Sequence, residues 1–204
     1  TFGDGVARSR NQYAVDVATY RGLDEGVGGD WGAGRLHANQ STGKFPGIAQ
    51  QEKCLANGGS DRCGWYTLGT VPSDTTGNNI RITGYGTYDD NGLTTRRQRT
   101  HAGALASIEE NHLRYVLDTT GGNSGSPVIH EETGHAIGVH THGGCSTGGA
   151  NSGTRIDRED FAAHVEWLLR SCTSDVECND GNPDNGKCVR IMKKRIFFLS
   201  QYVY

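Results

Sequence analysis

The chain has 204 residues, which is enough for one mid-sized domain or for two small β-barrels. Glycine accounts for 31 residues, about twice the usual share, whereas proline accounts for only 4, so the chain is not low-complexity, and the absence of a three-residue glycine period excludes collagen. The formal net charge of −3 excludes the basic footprint of a nucleic-acid-binding protein. No run approaches the roughly 18 apolar residues that a membrane span requires.

Strand-like segments recur at short intervals along the chain, and each is ended by Gly, Asn or Asp. The segment 80–83 (IRIT) alternates apolar and polar side chains, as a half-buried strand does. Many short strands between turns, together with a hydrophobic content of only 34%, predict an antiparallel β-barrel or sandwich. The segments with strand character are 13–20, 31–36, 64–68, 80–85, 112–117, 127–130 and 136–140.

A single helix is predicted near the end of this β-rich pattern, over 161–170 (FAAHVEWLLR). Phe161, Val165 and a leucine one turn later share one face, and Asp157 is positioned to cap the helix, with Asp160 three residues on. One helix closing an all-β chain is a topological clue to the fold.

The six cysteines favour disulfides, because their number is even and Asn, Gly and Asp surround them, as in secreted proteins. A zinc site would need close CxxC-type pairs, and the sequence has none, so we expect no metal and no cofactor. The first two pairs would each close a polar loop, and the third follows by elimination only. The predicted pairs are Cys54–Cys63, Cys178–Cys188 and Cys145–Cys172.

The composition changes after residue 170. Residues 171–188 are polar, Cys-rich and turn-rich, which predicts a small appendage held by disulfides. Residues 189–204 (VRIMKKRIFFLSQYVY) are basic and aromatic and fit neither pattern. Three interpretations of them stay open: an edge strand, a partner-binding tail, or the product of a shifted reading frame at the end of a fragment.

The most specific segment is 118–127 (DTTGGNSGSP), which precedes the apolar pair Val128 and Ile129. A serine between glycines can lie on a tight turn with its hydroxyl exposed, and Gly122 allows the N–H groups of Gly122 and Ser124 to converge. Two such donors are what a tetrahedral acyl intermediate needs for its oxyanion. A plain Gly/Ser surface loop is the simpler alternative. A phosphate-binding loop is disfavoured because no Lys follows the glycines.

This segment resembles the nucleophile motif of trypsin-like serine proteases, in the Asn/Ser form of the bacterial glutamyl-endopeptidase branch. Further resemblance runs roughly from residue 30 to 170 and is strongest between 80 and 144. The resemblance implies a chymotrypsin-like double β-barrel with a C-terminal α-helix. It is carried by 80–86 (IRITGYG), 115–120 (YVLDTT), 122–127 (GNSGSP), 137–140 (IGVH), 143–144 (GG) and the terminal helix.

The resemblance implies a role for several residues. Ser124 would be the nucleophile, and the N–H groups of Gly122 and Ser124 would form the oxyanion hole. Asp30, in 29–36 (GDWGAGRL), is similar to the family's triad acid, which opens an apolar strand. Asp16, inside a predicted strand, and Asp24, in a loop, are the alternatives.

The sequence departs from the family at the catalytic histidine, which should precede the triad acid by several dozen residues. All eight histidines follow Asp30, so none can hold that role in the family's chain order. Because an imidazole must take the proton of Ser124, we expect the chain to be inactive and to lack its N-terminal part, including most of the first barrel and any signal peptide. The eight are His37, His101, His112, His130, His135, His140, His142 and His164.

Substrate preference is predicted from Thr119 and His140, which resemble the pair that binds an acidic side chain in glutamyl endopeptidases. A hydroxyl and an imidazole can hydrogen-bond a carboxylate, and a protonated imidazole would add charge. An ordinary strand histidine is the alternative for His140. Regular alternation would place His142 on the same side of the strand, as a helper.

The expected organisation is a remnant of the first β-barrel with a linker over 1–66, the second β-barrel and helix over 67–171, and the tail over 172–204. The expected function is that of a secreted, bacterial, monomeric serine endopeptidase with peptide or protein substrates, cleaving after Glu or Asp. A non-catalytic protease-like binding module is the alternative. A tail that serves as a separate adhesion module is a third hypothesis.

Overall fold

The computed structural model describes residues 8–59, 64–87, 97–144 and 149–170, and the backbone of 195–196. These residues form ten strands, two α-helices and a one-turn 3-10 helix at Ser9–Asn11, so the described part of the chain is mostly β. The strands are β1 (Val15–Asp24), β2 (Asp30–Leu36), β3 (Tyr66–Thr67), β4 (Asn79–Gly84), β5 (Arg99–Ile108), β6 (His112–Tyr115), β7 (Pro127–His130), β8 (Ala136–His142), β9 (Asn151–Arg155) and β10 (Arg195–Ile196); the helices are α1 (Pro46–Ala56) and α2 (Glu159–Arg170).

The described residues divide into two compact units, the hairpin unit and the barrel unit. The hairpin unit contains 8–21, 32–59, 64–65 and 163–170 together with the backbone of 195–196; the barrel unit contains 22–31, 66–87, 97–144 and 149–162. The domain boundaries at 66/67 and 171/172 stay predictions, and the side chains of the tail lie outside the described residues.

The barrel unit is built around a closed barrel in the order β4-β5-β6-β9-β8-β7, in which β7 returns to pair with β4. All neighbouring strands are antiparallel. Closure pairs every edge, and the inward side chains fill the interior. The buried core consists of Val71, Ile80, Ile82, Leu105, Leu113, Tyr115, Leu117, Val128 and Ile137.

Strand β4 shows how the sequence pattern produces the barrel wall. Its buried positions alternate with exposed or half-buried ones, and Ile80 and Ile82 are 0% and 3% exposed. A strand places successive side chains on opposite faces, so the alternation predicted for 80–83 puts both isoleucines in the core. Ile80 lies opposite Gly103 of β5 and His130 of β7.

Within the barrel unit, residues 22–31 and the first turn of α2 contribute a second packing layer. Trp31 is buried and stacks on Phe161, with ring centroids 4.9 Å apart. Thr154 of β9 donates a hydrogen bond from its hydroxyl to the carbonyl of Asp30, at 2.6 Å. The start of β2 is therefore attached to the barrel wall through a strand 124 residues later in the chain.

In the hairpin unit, β2 continues with small residues that let Tyr20 of β1 approach closely. A Cβ atom at Gly32 would lie 2.8 Å from the Tyr20 hydroxyl. The last two turns of α2 are bonded to β2, since His164 Nε2 lies 3.2 Å from the Ala33 carbonyl and the Arg35 guanidinium donates to the Leu168 carbonyl at 3.0 Å. Helix α1 begins with Pro46 in its first turn.

Besides the 3-10 helix, one α-helix and two barrel strands are absent from the sequence-based predictions: α1, β5 and β9. Helix α1 has a single buried residue, Gly47, and its apolar Ile48 and Leu55 are exposed, so no apolar periodicity marks it. Strand β5 (RTHAGALASI) and strand β9 (NSGTR) lack the β-branched alternation of a typical strand. Each becomes a strand because the barrel supplies a hydrogen-bonding neighbour on both sides.

The expectation of a single helix is therefore wrong, and so is the capping of α2 by Asp157. The helix begins at Glu159, and the Asp157 carboxylate accepts two hydrogen bonds from the Arg155 guanidinium, at 2.8 and 2.7 Å. A bidentate pair of this kind is stronger than a single N–H contact. Asp160 instead accepts a hydrogen bond from the Phe161 N–H, at 2.7 Å.

The cysteine predictions fall mostly outside the described residues. Cys54, in α1, is disulfide-bonded. The other five cysteines lie outside the described residues, so the three pairings stay predictions.

Candidate active site

The tight turn that was predicted around Ser124 lies directly before β7. Gly122 and Gly125 have φ angles of +93° and +83°, in the left-handed region that side chains with a Cβ rarely adopt. The two glycines flank Asn123 and Ser124, and Ser124 is half-buried. The glycines are therefore required by the backbone path of the turn.

The N–H groups of this turn fall into two sets. Those of Asn123, Gly125 and Ser126 donate to backbone carbonyls of Thr120, His140 and Asn123 respectively, at 3.2, 2.8 and 3.0 Å. Within the part of the chain that the structure describes, the N–H groups of Gly122 and Ser124 donate to no protein acceptor. The turn thus leaves two backbone donors for a ligand, separated by one residue.

The Ser124 hydroxyl donates to the backbone carbonyl of Thr141, at 3.2 Å. All eight histidines are among the described residues, and none of them is hydrogen-bonded to Ser124. In this structure the hydroxyl is therefore held by β8 and is not bonded to an imidazole.

Asp30 is the first residue of β2 and is half-buried. Burial and the neighbouring Asp24 raise the pKa of its carboxyl above the usual value, and the charge of His142 partly offsets this. His142, whose charge lowers the pKa of Asp30, is thus adjacent in β8 to Thr141, whose carbonyl accepts the hydrogen bond of Ser124.

The alternative triad acids have different surroundings. The Asp16 carboxylate accepts a local hydrogen bond from the Ala18 N–H, at 3.2 Å. Asp24 is exposed at the end of β1.

His140 is 2% exposed, and its Nδ1 lies 2.7 Å from the hydroxyl of Tyr115, a residue with no exposed surface. Burial, with a smaller contribution from His142, lowers the pKa of His140 to about 4, although the Ser152 backbone opposes the shift. His140 is therefore neutral at pH 7. The protonated imidazole considered from the sequence does not describe this side chain, because desolvation disfavours its charged form.

Thr119 is held by a residue that sequence reasoning missed. The Asn151 side chain, which is 1% exposed, donates from Nδ2 to the Thr119 hydroxyl oxygen at 2.9 Å and to the Leu117 carbonyl at 2.7 Å. Its Oδ1 accepts from the Gly144 N–H at 2.7 Å. No local motif marks Asn151, which lies opposite Tyr115 in the β6–β9 pair.

The side of β8 on which His142 lies was predicted from regular strand alternation, and the strand is irregular at this position. The β8–β9 register shifts between His140 and His142, so the alternating pattern is interrupted there. Nδ1 of His142 lies 2.9 Å from the Thr141 hydroxyl, and its charge acts on both Asp30 and His140. Its role as a helper in the pocket stays a prediction.

We expect the Gly84→Ala variant to destabilise the barrel unit by about 1–3 kcal/mol. A Cβ atom at this buried glycine would overlap Asn123 Oδ1 and lie 2.5 Å from Ser126 Oγ, beneath the Ser124 turn. Urea denaturation measures the effect. Gly121→Ala is the matched control, since its Cβ would meet only Thr87 Oγ1 at 3.6 Å, and we expect a change within about 0.5 kcal/mol. Equal losses in the two variants would contradict close packing beneath the turn.

A closed antiparallel barrel, a glycine-flanked serine turn before β7 and a terminal helix together define a chymotrypsin-like fold. A solved structure of a Glu endopeptidase in complex with MPD has this fold, with a TM-score of 0.50 and 21% sequence identity, over 76% of this chain and 61% of that one. The predicted fold class is therefore confirmed.

The sequence is similar to the glutamyl endopeptidase of Bacillus licheniformis, with 32% identity over 111 residues. This match covers 51% of the chain and only 34% of the relative, so the chain spans about a third of that protein's length. No protein-family model matches the chain. The predicted resemblance to trypsin-like serine proteases of the glutamyl-endopeptidase branch is confirmed by the sequence match and the fold together.

Two further properties apply to the described residues. None of their helices combines the length and apolar character needed to cross a membrane. Their His, Cys, Asp and Glu side chains form no group of three or more that is arranged to hold a metal ion.

Proposed function

We propose that this chain is a serine endopeptidase of the glutamyl-endopeptidase type, with Ser124 as nucleophile and Asp30 as triad acid, and that it lacks the histidine base in the sequence given. The observation that carries the proposal is the pair of backbone N–H groups, Gly122 and Ser124, on a turn that two left-handed glycines shape. A serine on a turn with two such donors is arranged for acyl transfer, because the developing oxyanion then meets donors already in place.

The position of Asp30 supports its assignment. A triad acid must orient an imidazole that also reaches the serine. His142, whose charge lowers the pKa of Asp30, is adjacent in β8 to Thr141, which accepts the hydrogen bond of Ser124, and this supports the proposal that Asp30 and Ser124 would flank an imidazole. The proposed base would take the proton that Ser124 now shares with the Thr141 carbonyl.

The proposed specificity is for Glu, and then Asp, on the acyl side of the scissile bond. Thr119 and His140 would hydrogen-bond the substrate carboxylate, with His142 as a helper. Because His140 is neutral at pH 7, the proposed recognition relies on uncharged hydrogen-bonding groups, and a Leu side chain in the pocket would leave those groups without a partner. The disulfide at Cys54 supports the proposed secreted setting.

The specificity is tested by binding, which needs no catalytic base. We expect acetylated peptides that end in Glu to bind the chain more tightly than those that end in Leu, as measured by titration calorimetry. His140→Ala should weaken the Glu peptide more than the Leu peptide. Thr100→Val, which removes an exposed hydroxyl on β5, is the control and should change neither affinity. Equal losses on both peptides in His140→Ala would contradict the pocket assignment.

A non-catalytic protease-like binding module is the second candidate. The observation that favours it is the Ser124 hydroxyl, which is bonded to a carbonyl and to no imidazole in the described residues. Such a module would bind the Glu peptide and would not hydrolyse it, even when a small-molecule imidazole is added.

A further inference from the structure

The barrel unit holds a buried amide, Asn151, which no sequence motif marks and whose contacts lead into the proposed pocket. It is the first residue of β9, and its side chain reaches Leu117, Thr119 and Gly144. These three contacts join the segment before the nucleophile turn to the segment after β8. An amide with 1% exposure and several partners is costly to replace, because each buried polar group would lose a hydrogen bond.

The orientation of the Asn151 amide follows from its partners. The Leu117 carbonyl can only accept, so the nitrogen must face it, and the Gly144 N–H can only donate, so the oxygen must face that side. The second amide hydrogen then points at the Thr119 hydroxyl, 2.9 Å away. The hydroxyl oxygen of Thr119 is thereby an acceptor in this bond, and its own proton points elsewhere.

We propose that Asn151 is a positioning residue that makes Thr119 a hydrogen-bond donor toward the substrate side chain, and that it thereby selects acceptor groups such as a carboxylate. The inference rests on the proposed function, because it concerns the same pocket. A threonine hydroxyl can donate or accept with equal ease, so its neighbour decides which it offers. Asn151 occupies one lone pair of the Thr119 oxygen and offers its proton no acceptor, so the proton is left free to donate toward the substrate.

Replacing the amide by groups of different polarity tests this directly. In Asn151→Asp the carboxylate cannot donate, so Thr119 would turn its proton inward and present only lone pairs to the substrate. We expect the affinity for a peptide ending in Glu to fall about tenfold or more, while a peptide ending in Leu changes little. Asn151→Ala is the uncharged second variant and should lose part of the same Glu-over-Leu selectivity.

A Thr119→Val background separates the positioning role from charge repulsion and general destabilisation. If Asn151 acts through Thr119, Asn151→Ala should change the Glu-to-Leu affinity ratio in the wild type and leave it unchanged beside Val at position 119. Asn78→Asp is the matched control, because this Asn also donates to backbone carbonyls, at Asp74 and Thr76, and contacts His130 in the barrel unit. It should leave the affinity ratio as in the wild type.

The outcomes distinguish the inference from the function on which it rests. If the wild type prefers the Glu peptide and neither Asn151→Ala nor Asn151→Asp alters the Glu-to-Leu affinity ratio, the inference is overturned. The proposed function is then unaffected. A wild-type chain without a Glu preference overturns the proposed function. In that case the side-chain amide resonances of Asn151, recorded by NMR without peptide, still test the bond: they should move in Thr119→Val, and unmoved resonances overturn the inference independently of any substrate.

Discussion

Peptide hydrolysis by this chain is expected to be slower than hydrolysis by a complete triad by a factor on the order of 10⁴ to 10⁶. The Ser124 hydroxyl is bonded to the Thr141 carbonyl, and no histidine precedes Asp30 in the sequence. Without a base the hydroxyl keeps its proton at the moment of attack, so only oxyanion stabilisation and substrate binding remain. A fluorogenic peptide with Glu before the scissile bond measures the rate.

Added imidazole is expected to raise that residual rate. The proposed site has the triad acid and the nucleophile, and the added imidazole would replace the missing histidine side chain as base. Ser124→Ala should abolish both the residual and the imidazole-dependent hydrolysis. Asp30→Asn should remove the response to imidazole while leaving peptide binding intact. Ser73→Ala, at an exposed position in the barrel unit, is the control and should retain the response.

If the wild type hydrolyses the peptide at ordinary protease rates and Ser124→Ala abolishes that activity, the chain has a catalytic base after all. His142 would then be the first residue to test, since its charge acts on Asp30 and its neighbour Thr141 bonds Ser124. His142→Ala would identify it, with His37→Ala, at an exposed histidine, as the matched control.

Acid is expected to destabilise the barrel unit through His140. The pKa of His140 is lowered to about 4 in the folded chain by burial, whereas an unfolded histidine titrates near 6.5. Between these two values the unfolded chain binds more protons, so folding stability falls as the pH drops through this window. Below pH 4 the loss reaches about 3 kcal/mol relative to neutral pH.

Urea denaturation between pH 7 and pH 4 measures this loss when the wild type is compared with His140→Gln, which has no proton to take up in that range. The difference in unfolding free energy between the two should change by about 3 kcal/mol across the window. His37→Gln is the control, because that histidine is exposed. Parallel curves for the wild type and His140→Gln would show that His140 titrates normally and is not desolvated.

Local patterns predicted the parts of the fold that depend on neighbouring residues. The alternation in 80–83 predicted the inward isoleucines of β4, and the glycines around Ser124 predicted the turn, whose left-handed φ angles the structure shows. Helix α2 was predicted from its apolar face, although its cap was wrong. Strands β5 and β9 could not be predicted, because strands of such composition owe their conformation to the strands beside them.

The sequence by itself determined the serine turn and the antiparallel β character of the fold, since both follow from residues that are adjacent or regularly spaced, whereas the chymotrypsin-like barrel and the proposed nucleophile were implied by the resemblance to a known family. Only the tertiary structure decided that His140 is neutral and that Thr119 accepts a hydrogen bond from Asn151, 32 residues later in the chain. The neutral state of His140 depends on its burial, and the hydrogen bond to Thr119 depends on the strand register that sets Asn151 opposite Tyr115 in the β6–β9 pair. The burial of a side chain and the direction of its hydrogen bonds depend on residues that are remote in the sequence. These residues come together only when the barrel closes.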